Sequence, residues 1–245
     1  MLQKGTVKKE TFQLLTQLMQ EPLLADTRLV GGTSLALQLG HRESTDLDLF
    51  TTSLPDINSI VSILKDKFNY NPSIIDEKTT IGFIDGIKID IIHHPYHWLE
   101  NPEVEDSIRL ASLTDIAAMK LHAITNSGQR PKDFVDIAFL SQLFSYNTIK
   151  YLTQLKYPIY DPIMFDKAII YFDDINTEAI QRIKIIDSTL NWNKIKQRII
   201  QMTDSPDMIF EKPPLTIKTE KQKKQIEIYK KLLQSGKRNS FSQKK

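Results

Sequence analysis

Two aspartates separated by one leucine, Asp46 and Asp48, lie in a stretch that otherwise has the pattern of a strand. Alternate residues of a strand point to the same face, so Leu47 and Leu49 would enter a core while both carboxylates project from the other face. Like charges this close repel one another, and a divalent cation with oxygen ligands would relieve the repulsion. The alternative is an edge strand with a solvated acidic face.

A third carboxylate comes from a later predicted strand at residues 86–92, where the isoleucines share one face and Asp90 lies on the other. If this strand lies beside that of Asp46 and Asp48, three carboxylates converge. Such a group suits one or two Mg²⁺ (or Mn²⁺) ions, because these cations bind a few carboxylates together with substrate phosphates.

The pair Gly31-Gly32 follows a short predicted strand and precedes a predicted helix, which Thr33 or Ser34 would cap and Gly40 would end. Glycine has no Cβ, so backbone N–H groups can approach a phosphate closely there, and a helix N-terminus favours anions. Metal-binding carboxylates on one side and a phosphate-binding turn on the other indicate nucleotidyl transfer.

The elements that would position these residues predict an α+β fold, with a small mixed sheet, flanking helices and a mainly helical region after it. Asp85-Gly86 predicts a hairpin between strands at 79–84 and 86–92. Helical spacing predicts helices at 9–19, 33–39, 57–68, 115–125, 131–144, 147–155, 162–172, 189–202 and 219–234. The predicted units are a nucleotidyltransferase core at 1–145, a helical region at 146–212, and a linker with a basic helix and a disordered tail at 213–245.

Composition narrows the class of protein. The 245 residues include no cysteine, which excludes a disulfide framework and a Cys-based zinc site. No apolar run approaches the roughly 20 residues that cross a bilayer, and the N-terminus lacks the apolar segment of a secretion signal. These observations predict a cytoplasmic protein that does not insert into a membrane.

Charge is distributed unevenly. Residues 218–245 hold ten Lys or Arg against two Glu, a net charge of +8, which leaves −6 for the rest of a chain whose total is +2. A basic tail on an acidic body can indicate a polyanionic partner. A solvated terminal helix with a frayed end explains the same pattern.

Three segments together resemble a known family: GGTSLALQLGHRESTDLDLF, ASLTDIAAMKLHAI and RPKDFVDIAFL. They are similar to the AbiEii/AbiGii-type nucleotidyltransferases, which have a DNA-polymerase-beta-type fold and act as toxins in type IV toxin–antitoxin and abortive-infection systems. The resemblance covers about residues 29–140. By this resemblance, Gly31, Gly32 and Thr33 match the turn that holds nucleotide phosphates, while Asp46 and Asp48 match the metal carboxylates.

The same resemblance matches Asp90 to the third carboxylate and Lys120 to a lysine that could contact the triphosphate. Either Asp133 or Asp136 matches the acidic residue of the last segment, and the two lie three residues apart on one predicted helix. Asp136 is also four residues from Lys132, so a surface ion pair is an alternative explanation for it.

Other residues have weaker cases. Arg42 and Arg130 could bind phosphate, although Arg42 could equally pair with Glu43 or an aspartate. His41 is expected to be structural, and a loop-packing role is favoured for the histidines at 93, 94 and 97, whose spacing fits no standard zinc motif. Four tyrosines could stack on nucleic acid bases, although core positions are the commoner role for aromatics at such spacing: Tyr146, Tyr151, Tyr157 and Tyr160.

The sequence thus predicts a metal-dependent enzyme that transfers a nucleoside monophosphate from an NTP to an acceptor hydroxyl. The resemblance favours RNA, at the 3′ end of tRNA, as acceptor and an antitoxin protein as partner. One alternative is a nucleotidyltransferase that modifies a small molecule such as an antibiotic. Another is a binding module with a degenerate site that pairs with an antitoxin.

Overall fold

A mixed seven-stranded sheet is the centre of the structure, a computed structural model that describes residues 1–211. The strands are β1 (Arg28–Leu29), β2 (Leu47–Thr51), β3 (Asn71–Ile75), β4 (Thr79–Ile84), β5 (Ile87–His93), β6 (Glu103–Glu105) and β7 (Ile108–Leu110). Their spatial order is β3-β4-β5-β2-β1-β7-β6. The predicted α+β class is confirmed.

Two parallel pairings join segments that are distant in the sequence. β2 pairs with β5 and β1 pairs with β7 in parallel, while the remaining neighbours are antiparallel. The predicted hairpin between β4 and β5 is confirmed, and both of its turn residues, Asp85 and Gly86, have positive φ. The sequence pattern did not predict β3, β6 or β7, since these strands are short or lack a clear alternation.

The helices flank this sheet on both sides. They are α1 (Lys9–Leu18), α2 (Gly31–Leu39), α3 (Ile57–Phe68), α4 (Leu113–Ser127), α5 (Pro131–Leu140), α6 (Tyr146–Lys156), α7 (Pro162–Ile169), α8 (Thr177–Gln181) and α9 (Trp192–Asp204). Short 3₁₀ helices lie at Lys4–Thr6 and Pro22–Leu24.

Two predicted helix starts are wrong. α2 begins at Gly31 rather than after Thr33 or Ser34, and its N-cap Val30 makes no side-chain cap bond. α4 begins at Leu113 rather than at residue 115, and its cap is Ser112, whose hydroxyl accepts from the Asp115 N–H. The predicted end of α2 is confirmed, since Gly40 has the left-handed conformation that ends many helices.

Each face of the sheet packs against its own helices. Leu47, Leu49, Ile89 and Ile91 are fully buried in a core shared with α1 and α3. Each such side chain contributes about 1.5–3 kcal/mol relative to an exposed one. The opposite face adjoins a second core, built from α4 to α7 and α9, against which Phe50 packs. The face that carries the aspartates therefore lies toward the helical part of the protein.

The predicted linker at Pro213-Pro214, the basic helix and the tail lie outside the described residues. No helix within residues 1–211 is long and apolar enough to cross a membrane.

Candidate active site

The carboxylates of Asp48 and Asp90 lie on neighbouring parallel strands, directly opposite each other in register. Both project from the sheet face opposite to the buried leucines and isoleucines, as the alternation predicts. Asp46 comes just before β2, and its charge acts on Asp48. The sequence analysis assumed that these two strands lie side by side, and the structure shows that β2 and β5 do.

The electrostatics of this group are unfavourable without a cation. Burial, together with the negative charges of Asp90 and Asp46, raises the pKa of Asp48 to about 6. Asp90 is held by Lys88, whose Nζ lies 2.6 Å from each carboxylate oxygen. The Lys88 side chain is itself 38% exposed, so it can move away when another cation approaches.

The Gly31-Gly32 turn packs directly on two charged side chains. A Cβ at Gly31 would collide with the Asp48 carboxylate, and a Cβ at Gly32 would collide with the Arg42 guanidinium. Gly31 also has a φ of +67°, which side chains rarely adopt. Because α2 begins here, its first N–H groups have no partner within the helix and are free to bind an anion next to Asp48.

The hydroxyls of Thr33 and Ser34 are engaged within the protein. Thr33 is buried and its hydroxyl bonds to the Ser44 hydroxyl and the backbone carbonyl of Asp46, so it fixes the approach to β2. Ser34 is fully buried, and its hydroxyl accepts from Gln38. Of these two residues, Thr33 is therefore the one that contacts the acidic segment.

Asp136 and Arg42 form a buried ion pair. The guanidinium donates to both carboxylate oxygens, with Nε–Oδ1 at 2.7 Å and Nη2–Oδ2 at 3.0 Å, and His41 bonds to the same carboxylate at 2.8 Å. Burial would raise the pKa of Asp136, but the charges of Arg42 and Lys120 hold it well below its usual value. The alternative of a surface pair with Lys132 does not hold, because Asp136 is fully buried.

Lys120 extends the same network to Asp133. Its ammonium lies 2.6 Å from a carboxylate oxygen of each of Asp133 and Asp136, and only 5% of the residue is exposed. Burial would lower the pKa of Lys120, but the two aspartates raise it above its ordinary value. The exposed Arg130 lies 3.6 Å from Asp133 at the rim, and its charge, like that of Lys120, acts on Asp48.

His41, His94 and His122 pack against aromatic rings, whereas His97, for which a packing role was also predicted, is exposed. His41 is buried against Phe139, and burial lowers the pKa of its imidazole, so it is neutral at pH 7. His93 faces the Thr52 carbonyl, while His94 packs among aromatic rings. Of the four tyrosines expected in the core, Tyr146 and Tyr157 are buried, Tyr160 is partly exposed and Tyr151 is 56% exposed, so the core role is wrong for Tyr151.

Within residues 1–211, no three His, Asp or Glu side chains are already arranged around a point that could hold a metal ion. The chemistry of the donor set nevertheless fits Mg²⁺ or Mn²⁺, because these ions take one or two carboxylates and complete their shell with substrate phosphates and water. The raised pKa of Asp48 shows that a positive charge at this position would be stabilising.

Comparison with known proteins decides the family. The model of the AbiEii nucleotidyltransferase toxins of type IV toxin–antitoxin systems matches residues 13–90 and 78–212. The chain belongs to this family. It is therefore a nucleotidyltransferase, and the predicted resemblance is confirmed.

A protein sequence and two solved structures are also similar to this AbiEii-family protein. A protein of Aquifex aeolicus (strain VF5), named "Uncharacterized protein aq_aa25", is 33% identical over 184 residues, which cover 73% of this chain and 89% of the relative. Two solved structures share the fold at 14% identity and a TM-score of 0.54. One is a candidate nucleotidyltransferase from H. pylori, with 82% of this chain and 96% of that chain covered. The other is JHP933 from Helicobacter pylori, at 93% and 99%.

The sequence did not predict the ion pair that joins two of the segments shared with the AbiEii family. Arg42 and Asp136 are 94 residues apart, and no local pattern links them. It also missed Lys88, which is two residues from Asp90 on the same strand face and could have been recognised as its partner by period-2 alternation.

Proposed function

We propose that this nucleotidyltransferase transfers a nucleoside monophosphate from an NTP to a hydroxyl of an RNA acceptor, at the 3′ end of tRNA, in a reaction that depends on Mg²⁺ or Mn²⁺. The register of Asp48 against Asp90 beside a helix N-terminus is the observation that carries the proposal. It supplies carboxylates for a cation and backbone donors for phosphate within one site.

Each residue of the site has a definite part. Asp46, Asp48 and Asp90 would hold the metal, which when bound would offset the charge of the phosphates and of the leaving pyrophosphate. The first N–H groups of α2, at Gly31, Gly32 and Thr33, would bind phosphate oxygens. The Thr33 hydroxyl, through its bond to the Asp46 backbone, keeps the acidic segment next to those donors.

The basic residues near the site have two different roles: one would contact the triphosphate, and two would act on it from behind the site. Arg130 is exposed at the rim and would contact the triphosphate directly. Lys120 and Arg42 contribute positive charge from behind the site, where Asp133 and Asp136 hold them in place. Between those two aspartates, Asp136 makes the larger structural contribution, because it binds both cations and Asp133 binds only Lys120 among them.

The transfer is a single displacement at phosphorus. The acceptor oxygen bonds to the α-phosphorus, the bond from that phosphorus to the bridging oxygen breaks, and pyrophosphate leaves with the bonding electrons. The acceptor proton passes to the Asp90 carboxylate, which is within the site and exchanges its contact with Lys88 for one with the hydroxyl.

The charge of the chain supports the proposed RNA acceptor, and the family of the chain supports the proposed antitoxin partner. The net charge of +8 on residues 218–245 supports a polyanionic acceptor such as tRNA. Membership of a family of type IV toxins supports a cognate antitoxin as partner.

The test is incubation of the full chain with each NTP, labelled at the α- or at the γ-phosphate, together with Mg²⁺ and total RNA. We expect α-label and no γ-label in RNA, concentrated in the tRNA fraction, and no incorporation by Asp48→Asn. Labelling of a small molecule instead of RNA would contradict the acceptor and favour the antibiotic-modifying class. Normal incorporation by Asp48→Asn would contradict the metal site.

A further inference from the structure

A group of aromatic side chains lies at one end of the face that carries the carboxylates. It comprises six residues, here called the ring cluster: His94, Tyr96, Trp98, His122, Tyr157 and Tyr160. Tyr157 is buried and forms the floor, with His122 stacked on it at 3.8 Å between centroids and 9° between planes. The other five rings are partly exposed.

The ring cluster is continuous with the catalytic strands. Phe50 follows Asp48 on the same face of β2, and His94 follows the end of β5, so the two rings meet at 5.4 Å. At about 3.3 Å per residue, Phe50 is about 7 Å along the strand from Asp48.

Buried polar contacts hold the loop at residues 94–100 in place. Lys156 and Asp115 are both fully buried and form an ion pair at 2.8 Å. Lys156 donates to the His97 carbonyl, while Asp115 accepts from the backbone N–H groups of Leu99 and Glu100. The rings are therefore positioned before any ligand arrives, which lowers the entropic cost of binding.

The ring cluster is suited to a flat, uncharged group. Burial holds the pKa of both His94 and His122 to about 4, so both imidazoles are neutral at pH 7. Trp98 packs against two cations, Arg28 at 4.4 Å and Lys156 at 4.6 Å, whereas the imidazole and tyrosine rings carry no charge that would attract a phosphate. Such neutral rings stack well on a heterocycle.

We propose that the ring cluster binds a nucleobase by stacking, while the phosphates of the same or the adjoining nucleotide lie at Asp48 and the Gly31-Gly32 turn. This inference rests on the proposed function, because it assumes that the carboxylates receive a nucleotide. The base comes either from the incoming NTP or from the terminal nucleotide of the RNA acceptor.

The experiment is calorimetric binding to the full chain of three probes: each NTP with Mg²⁺, inorganic tripolyphosphate with Mg²⁺, and total tRNA. The variants are Tyr96→Ala and His122→Ala, with Tyr96→Phe to retain the ring. Tyr151→Ala is the matched control, since this tyrosine is 56% exposed and lies on α6 outside the ring cluster. Circular dichroism melting confirms that each variant is folded.

We expect Tyr96→Ala and His122→Ala to weaken NTP binding about 5- to 100-fold, the range for loss of one stacked base, with tripolyphosphate binding unchanged. Tyr96→Phe and Tyr151→Ala should match the wild type. Weaker tRNA binding with unchanged NTP binding would assign the base to the acceptor and would also support the proposal.

Unchanged binding of both NTP and tRNA by folded Tyr96→Ala and His122→Ala would overturn it. The proposed function can fail independently of this site. If the wild-type chain binds bases through Tyr96 but transfers no nucleotide, the proposed activity is wrong and the nucleobase site is retained.

Discussion

Two neighbouring groups of charge in this protein are organised in opposite ways. The buried cluster consists of Arg42, Lys120, Asp133 and Asp136, in which cations and carboxylates are matched at 2.6–3.0 Å. The open cluster consists of Asp46, Asp48 and Asp90: the charges of Asp46 and Asp90 both act on Asp48, and Asp90 is paired with the partly exposed Lys88. In the described residues Asp48 has no ion-pair partner, and its pKa is raised where that of Asp136 is lowered.

This difference distinguishes charged residues that stabilise the fold from charged residues that are available to bind a ligand. A buried charge that is fully paired within the protein stabilises the fold as it stands, whereas one left unpaired costs free energy that only a ligand can recover. The aspartates therefore divide into Asp133 and Asp136, which are paired with cations behind the turn, and Asp48, which has no ion-pair partner within the described residues. Matched variants can test this division.

The largest expected effect is on the buried cluster. Asp136→Asn should lower the free energy of unfolding by about 3–5 kcal/mol, because it leaves Arg42 and Lys120 buried without their shared carboxylate. Urea unfolding followed by circular dichroism measures this loss. A change below about 1 kcal/mol would mean that the network does not hold the two cations.

Lys120 and Lys132 make a matched pair of variants, because Lys120 contacts Asp136 and Lys132 is the lysine four residues before Asp136 on α5. Lys120→Met should destabilise the fold by about 2–4 kcal/mol, because two buried carboxylates lose their common partner. Lys132→Met should stay within about 0.5 kcal/mol, the range of an ordinary surface substitution. Equal losses in urea unfolding would contradict the assignment of Lys120 to the buried cluster.

Substitutions at Gly31 and Gly86 distinguish the effect of backbone strain from the effect of a collision with the site. Both have positive φ, but a Cβ meets nothing within 4 Å at Gly86 and collides with Asp48 at Gly31. Gly86→Ala should cost about 1 kcal/mol and leave transfer intact, while Gly31→Ala should cost about 2–3 kcal/mol and abolish transfer. If both variants transfer the label equally well, the turn does not position Asp48.

Asp48→Asn should stabilise the metal-free protein by about 3 kcal/mol at pH 7–8, because it removes a carboxylate whose pKa is raised from 3.8 to about 6. The folded pKa of about 6 lies above the ordinary value of 3.8, so ionisation destabilises the folded state above pH 6 and has no effect below about pH 4. The stability of the wild type relative to Asp48→Asn should therefore rise as pH falls from 6 to 4. Urea unfolding in EDTA across this range checks it, and a constant difference would contradict the raised pKa.

Local pattern predicted much of the open cluster. Period-2 alternation placed Leu47 and Leu49 inward and Asp48 outward, and the Asp85-Gly86 turn fixed the hairpin that brings Asp90 into the sheet. Each of these inferences needs only residues within a few positions of one another, where backbone geometry is decisive.

The buried cluster could not be predicted in the same way. Its central bond joins residues 94 positions apart, and its geometry depends on how α5 packs on α2. The predicted start of α2 was wrong for a related reason. Thr33 has a side chain suited to capping a helix, but its hydroxyl bonds to Ser44 and to the Asp46 backbone instead. Tertiary contacts overrode the local preference there.

The most direct test of the division between the two clusters is the free energy of unfolding of the wild type and Asp48→Asn as Mg²⁺ is added in the presence of a non-hydrolysable NTP analogue. Ligand that binds only the folded state stabilises it in proportion to the logarithm of its concentration over Kd. We predict that the wild type is the less stable protein in EDTA and gains stability steadily with Mg²⁺, while Asp48→Asn barely responds. Identical responses of the two proteins to Mg²⁺ would contradict the claim that Asp48 is left without an ion-pair partner so that a metal can bind.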